Sequence, residues 1–287
     1  NIYSSTKDYQ LSNFYLKLSY FLNDRFLPNK TILAENFLNQ GKDEYSRKTY
    51  NSLKSMGGVY SWYASINLAN IMRELNGEKK AFSYLKREFK KISNPNFENY
   101  YDLANFFKNN KNYKESIKYY SLALKNIKED HPLIPKILER RGTSLERSGE
   151  WEKAEKDLIK SLEIFPEQPY VLNYLAYTWV EKKINIEKSL DMLIKANNLK
   201  TNDGYITDSL GWAYYMAKDY DKAEKFLQRA IEIMPFDPVI NDHYADTLWM
   251  LNKNIQARYF WKQVPNLEDT EEKLKDTVKK KLIFGKI

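Results

Sequence analysis

The stretch "ITDSLGWAYYMAKDYDKAEKFLQRAIEIMPFDP", Ile206 to Pro238, decides how this chain folds. Leu210, Tyr214 and Ala217 recur at spacings of three and four, and so do Ala223, Leu227 and Ala230. Each set therefore lines one face of an α-helix. The phase breaks near Lys218–Asp219, so two helices joined by a short turn are expected, at about 204–217 and 220–233. Asp237-Pro238 supplies an N-cap and a first-turn proline for the helix that follows. Small residues stand at fixed places among bulky ones: Gly211 on the first helix, Ala223 twelve residues later on the second, and Ala230 seven beyond that. Two helices packed side by side need a short side chain where their axes approach most closely.

The pattern recurs along the chain. Small residues fall at Ser46, Ala81, Ser116, Ala154, Ser189, Ala223 and Ala257, separated by 35, 35, 38, 35, 34 and 34 residues. A small partner precedes them at Ala34, Ala69, Ala104, Gly142, Ala176, Gly211 and Ala245, twelve residues back except at Ala176, where the interval is thirteen. Seven residues after the reference come Ala123, Ser161, Ala196 and Ala230, while Leu53, Glu88 and Val264 break the rule. Prolines close units at Pro166 and Pro235, and Pro169 and Pro135 suit first turns. A helix pair of this length cannot bury its apolar side alone, so neighbouring pairs must stack.

This period, with Leu210-Gly211, Tyr214, Ala223, Leu227, Ala230 and Pro235, resembles the tetratricopeptide repeat. The resemblance implies an all-α, right-handed superhelical solenoid of antiparallel helix pairs. Seven units are expected, at 27–60, 62–95, 97–130, 135–168, 169–203, 204–237 and 238–271. They group as an N-terminal array over 1–134 (a partial unit plus three), a C-terminal array of four over 135–271, and a capping helix with tail over 272–287. Residues 1–26 read as the second helix of a unit. "HPLI" at 131–134 reads as an extended joint. Leu274, Val278 and Leu282 form one apolar line for the closing helix, with Asp269 and Glu272 spaced as its cap. Three stretches, "VLNYLAYTWVE", "DGYITDSLGWAYY" and "INDHYADTLWM", also resemble bacterial exported or lipid-anchored members, some of which are adaptors for cell-envelope proteases or assembly machinery.

Repeat geometry implies that the second, fifth, ninth and twelfth residues of a unit face a concave groove. In the C-terminal array those positions hold Tyr170, Asn173, Tyr177 and Val180, then Tyr205, Asp208, Trp212 and Tyr215, then Val239, Asp242, Asp246 and Trp249. Exposed Trp and Tyr give large contact area at small entropic cost, and buried aromatics dominate binding energy. Three carboxylates among them favour Lys or Arg on the ligand. The expected partner is therefore a protein or peptide segment, apolar with some positive charge, held around Trp212 and Trp249. The carboxylate clamp of chaperone-binding relatives is incomplete, because Ile66 and Asp102 stand where the resemblance requires Lys and Asn.

Composition narrows the rest. The 287 residues include 46 Lys and Arg against 38 Asp and Glu, and the whole excess lies in residues 1–134, where 21 basic residues face 13 acidic ones. That imbalance carries the alternative reading, a repeat protein binding RNA or another anionic partner through its basic half. Glu98, Glu139 and Glu146 at groove positions and the lack of a per-unit base-reading pattern count against RNA, and no DNA partner is expected. With no Cys and only His131 and His243, the chain lacks thiolate chemistry and offers no phosphate loop or metal-ligand spacing, so no enzyme, cofactor or metal is expected. His243 beside Asp242 and Asp246 is the one cluster to weigh as metal or acid–base chemistry, and local hydrogen bonding accounts for it better. No run of 18 apolar residues is present, and "KKLIFGKI" at the end reads as a frayed cap or a weak membrane contact. The start at Asn1 without a leader is read as processing or truncation. With the resemblance, this leads to an expected periplasmic or outer-membrane-associated location, reached through an N-terminal anchor upstream. A cytoplasmic scaffold is the alternative.

Overall fold

A computed structural model describes residues 2–286. Among them every regular element is a helix. In chain order these are α1 (Ile2–Ser5), α2 (Tyr9–Leu22), α3 (Pro28–Asn39), α4 (Asp43–Lys54), α5 (Gly58–Asn76), α6 (Glu78–Phe89), α7 (Phe97–Asn109), α8 (Tyr113–Asn126) and α9 (Ile134–Arg147). There follow α10 (Trp151–Ile164), α11 (Pro169–Glu181), α12 (Ile186–Leu199), α13 (Gly204–Met216), α14 (Tyr220–Ile233), α15 (Pro238–Met250), α16 (Asn254–Gln263), a 3₁₀ turn (Val264–Asn266) and α17 (Glu272–Phe284). From α3 to α16 the helices alternate as first and second members of seven hairpins, and α13 and α14 lie within a residue of the expected bounds.

Local chemistry sets the ends. Asp203, Asp219 and Asp237 each accept a hydrogen bond from a backbone N–H two or three residues on, which satisfies the orphan donors of α13, α14 and α15. Pro28, Pro169 and Pro238 occupy first turns. The turn inside the hairpin has one recurring form. Gly41, Lys111, Gly149, Lys183, Lys218 and Asn252 all have positive φ. The next residue's amide bonds back to the last turn of the first helix: Lys42 to Phe37, Asn112 to Phe107, Glu150 to Leu145, Ile184 to Trp179, Asp219 to Tyr214 and Lys253 to Leu248, all at 2.8–3.0 Å. This is the Schellman closure of a helix C-terminus. The joint at 131–134 is two hydrogen-bonded turns, His131 N–H to Lys128 and Ile134 N–H to His131, rather than extended chain. The two turns satisfy backbone groups that an extended segment would leave unpaired.

The column of small residues is the seam of each hairpin. All fourteen small residues paired by the repeat are buried. A Cβ added to Gly211 would stand 2.6 Å from Leu227 Cγ, and one added to Gly142 would stand 3.1 Å from Leu158 Cγ. Where the seam residue is Ser46 its hydroxyl donates to the Ala34 carbonyl at 2.9 Å. The rule-breakers are buried too: Leu53 and Val264 as core, and Glu88 with its carboxylate 2.9 Å from both Lys54 and Lys91.

The chain divides into two compact units, residues 1–137 with 147–149 and residues 138–146 with 150–287. In the first, α2 through α6 pack in sequence, α7 pairs with α8, and α5 touches α7. Its largest core gathers Trp62, Leu85, Leu103, Phe107 and Tyr120. In the second, α11 through α16 pack in sequence, while α11 meets α13 and α13 meets α15, so first helices form a row of their own. α17 closes this unit through Leu274, Val278 and Leu282, which join Trp261 and Val264. Its N-cap is Glu271, whose side chain makes no capping bond, rather than Asp269, which lies two residues earlier with φ +61°.

Candidate functional site

The row α11, α13, α15 carries the groove positions of the second unit, and their side chains divide by depth. Tyr170 and Tyr205, at the starts of α11 and α13, are more than half exposed. Tyr177, Tyr215 and Trp249 are half-buried, as is Asn173, whose Oδ1 is sealed without a hydrogen-bond partner. Asp208, Trp212, Asp242 and Asp246 are buried, at 6%, 8%, 7% and 1% exposure. Trp212, expected as an exposed anchor, is thus a wall of the site. Its indole N–H donates to Glu181 at 2.7 Å, one face stacks on His243 at 4.0 Å, and Tyr215 stacks at 4.5 Å. The cause is the first-helix row, which brings α15 close enough to lay His243 on the ring.

His243 resolves as a partner of Asp208. Its Nδ1 lies 3.0 Å from Asp208 Oδ1 and 3.1 Å from Oδ2. Burial lowers the imidazole's basicity, but Asp208, then Asp242 and Asp246, more than offset this and hold it above its ordinary value. The protonated ring donating to Asp208 is the state this geometry favours. Among the described residues no group of three or more His, Asp and Glu is placed to hold a metal ion.

The two remaining carboxylates are already engaged by cations of α17 and its tail. Lys281 Nζ lies 2.7 Å from both Asp242 oxygens and 2.8 Å from Asp246 Oδ1. Lys286 Nζ reaches the other oxygen of Asp246 and sits over the rings of Trp212 and Tyr215 at 5.4 and 5.6 Å. The indole N–H of Trp261 donates to Asp246 Oδ1 at 3.1 Å. Burial and the adjacent Asp246 raise Asp242 above the usual carboxylate range despite the opposing pull of Lys281. Burial, then Asp246, likewise raises the Tyr215 phenol, which stays neutral as a ring face and donor. Trp249 lies under Gly285 and beneath the Arg258 guanidinium at 5.0 Å.

Beside this filled region an open cavity of about 850 Å³ remains at the N-terminal ends of α13 and α15. Tyr205, Phe236 and Val239 give it an apolar lining, and Glu268, Asp269 and Glu271, with Lys273 beside them, give it a net acidic side. Phe236 is 77% exposed. Sequence reasoning missed Phe236, Lys281, Gly285 and Lys286. Phe236 sits in an inter-unit loop outside the groove positions, and the other three reach the site only because α17 packs back on α16, from where Lys281 and Lys286 extend to the carboxylates of α15.

Two family profiles described as tetratricopeptide repeat match this chain, over residues 97–130 and 208–237. A curated protein of Pseudomonas aeruginosa, TPR repeat-containing protein PA4667, is 27% identical over 107 residues, 37% of this chain and 18% of that protein. The chain carries tetratricopeptide repeats. Solved structures agree on the fold of this repeat protein. The APC/C hetero-tetramer Cut9–Hcn1 matches 94% of this chain and 52% of the other at 16% identity, with a TM-score of 0.65. A tetratricopeptide repeat protein from Parabacteroides merdae matches 76% of this chain and 98% of the other at 19% identity, with a TM-score of 0.56. Such repeats serve as scaffolds for protein interaction. Among the described residues no helix is long and apolar enough to cross a membrane.

Proposed function

We propose that this repeat protein is a non-enzymatic adaptor that holds an apolar, positively charged polypeptide segment against the first-helix face of its second unit. The observation that carries this reading is the open cavity, where exposed aromatic area and three uncommitted rim positions of negative charge adjoin a preorganised helix row. A rigid surface loses little entropy on binding, so the partner alone bears the ordering cost. Tyr205 and Phe236 serve as the anchors, and Glu268, Asp269 and Glu271 select for Lys or Arg. An envelope setting, in which the adaptor links a protease or assembly machine to its substrates, is the part of this proposal supported by the cysteine-free composition and the three "exported-type" stretches. Cell fractionation with a tagged chain tests it: recovery in the cytoplasmic fraction alone would refute that setting.

The binding claim is tested by fluorescence polarisation against a library of apolar-basic peptides, with the double substitution Tyr205→Ala/Phe236→Ala as comparator. Affinity is expected to drop at least tenfold, since two truncated hot-spot aromatics cost about 2 kcal/mol or more together. The melting temperature should hold, because both side chains are mostly exposed. Equal affinity in the variant would remove this surface from consideration.

A further inference from the structure

The filled part of the acid and aromatic face differs in kind from the rest of the closing helix. α17 is fixed by Leu274, Val278 and Leu282 in the core and by Lys281, itself buried between Asp242 and Asp246. Beyond Leu282 the attachment thins. Ile283 and Phe284 are 69% and 67% exposed. What holds the next two residues is the Gly285 N–H donating to the Lys281 carbonyl at 2.8 Å as the C-cap of α17, Gly285 lying flat on Trp249, and the Lys286 amine set between Asp246, Trp212 and Tyr215. Gly285 is obligatory there for two reasons. Its φ is +81°, which favours glycine, and an added Cβ would fall 2.1 Å from Trp249 Cζ2. A shallow indole shelf next to a carboxylate and two stacked rings is a receptor for a small residue followed by a cation.

We infer that Gly285–Lys286 is a tethered occupant of a partner-binding seat, and that the seat accepts in its place a partner segment presenting Lys or Arg directly after Gly. This inference rests on the reading of the first-helix face as the binding surface and extends it inward from the cavity. Tethering gives the tail a high effective concentration, so a partner must compete with it and its apparent affinity falls by the fraction of chains whose seat is vacant. The core-anchored part of α17, Lys281 included, stays in place. Its amine keeps Asp242 neutralised whether the tail is in or out.

The probe is a labelled peptide LIFGKI, the sequence of residues 282–287, offered in trans to the full chain. The last of these, Ile287, lies outside the described residues and serves only to complete the probe. Gly285→Ala ejects the tail and is expected to bind the probe at least tenfold more tightly than the unaltered chain. A probe with norleucine in place of its lysine should bind neither. Hydrogen exchange at residues 283–286 should quicken in the variant while α13 and α15 keep their protection. Lys286→Ala, which removes only the amine, should show the same gain and decides the matter if Gly285→Ala disturbs the fold. Equal binding by unaltered and tail-released chains, or equal binding of the norleucine probe, would overturn the inference. If LIFGKI fails but apolar-basic peptides still bind through Tyr205 and Phe236, the tail inference falls and the surface reading stands. If neither binds, both fall.

Discussion

Gly211→Ala puts the seam of the repeat to a direct test. Gly211 lies in the interior of α13, where alanine ordinarily stabilises a helix by about 1 kcal/mol relative to glycine. Here the added methyl would meet Leu227 Cγ at 2.6 Å, Cδ2 at 3.0 Å and the Leu227 amide nitrogen at 3.1 Å. Cγ moves only by a change of χ1, which the packed seam restricts, and the amide is backbone, which moves only with α14. Overpacking of this kind costs about 1–3 kcal/mol. Setting the helix gain against it leaves a net loss of about 1 kcal/mol, with about 2 as the upper end. Gly142→Ala is the internal control. Its methyl would meet Leu158 Cγ at 3.1 Å and the Ala154 carbonyl at 3.2 Å, contacts that relax by a few tenths of an ångström. The propensity gain and the crowding then cancel to within about 0.5 kcal/mol. Urea melts followed by helical circular dichroism read both, and the midpoint for Gly211→Ala should fall clearly below that for Gly142→Ala. A Gly211→Ala chain as stable as the original would mean that α13 and α14 do not approach as closely as the seam requires.

Two further outcomes follow from buried polar groups. Ser189 Oγ is buried without a hydrogen-bond partner at a position where the six other units carry alanine or a bonded serine, so Ser189→Ala should raise stability by about 1 kcal/mol in the same melts; a loss of stability would show that the hydroxyl has a partner. Protonated His243 paired with Asp208 stabilises the fold fully below its unfolded value near 6.5 and progressively less as pH rises through its higher folded value. Stability should therefore fall as pH rises above about 6.5, with a slope no steeper than the one-proton limit of about 1.4 kcal/mol per pH unit, and Asp208→Asn should flatten that fall in melts run across pH. An identical pH slope in the variant would refute the pairing.

The hairpins were legible in the sequence because they depend on near neighbours. A 3.6-residue stripe, a cap such as Asp237 and a small residue such as Ala223 each state a local requirement, and repetition confirms it. The candidate site was legible in residue type and hidden in arrangement. Asp242, Asp246, Trp212 and Trp249 do lie on one face of the second unit, as the spacing implied. What fills that face comes from Lys281 and Lys286, about forty residues away, and no periodicity in α15 announces which later segment will fold against it. Trp212 and Asp208 were hidden for a related reason: their burial depends on His243, whose orientation follows from helix packing rather than from its own neighbours in sequence. Phe236 escaped because a loop residue obeys no helical register. The left-handed turn residues were half visible. Gly41 and Gly149 are glycines, as such a backbone prefers, but Lys111, Lys183, Lys218 and Asn252 conceal the same conformation under ordinary side chains.

Those four substitutes have a consequence for how the array can vary. A side-chain-bearing residue held in left-handed backbone costs roughly 1–2 kcal/mol, and here the cost recurs at the elbow of four separate hairpins. Each elbow touches solvent and lies in a different hairpin, so each acts as an independent dial on the cohesion of its own pair. Exchange for glycine tightens one hairpin and leaves the seams, the acid face and the closing helix as they are. The rigidity of this scaffold is therefore adjustable in place, hairpin by hairpin, without touching any surface on which a partner would rest.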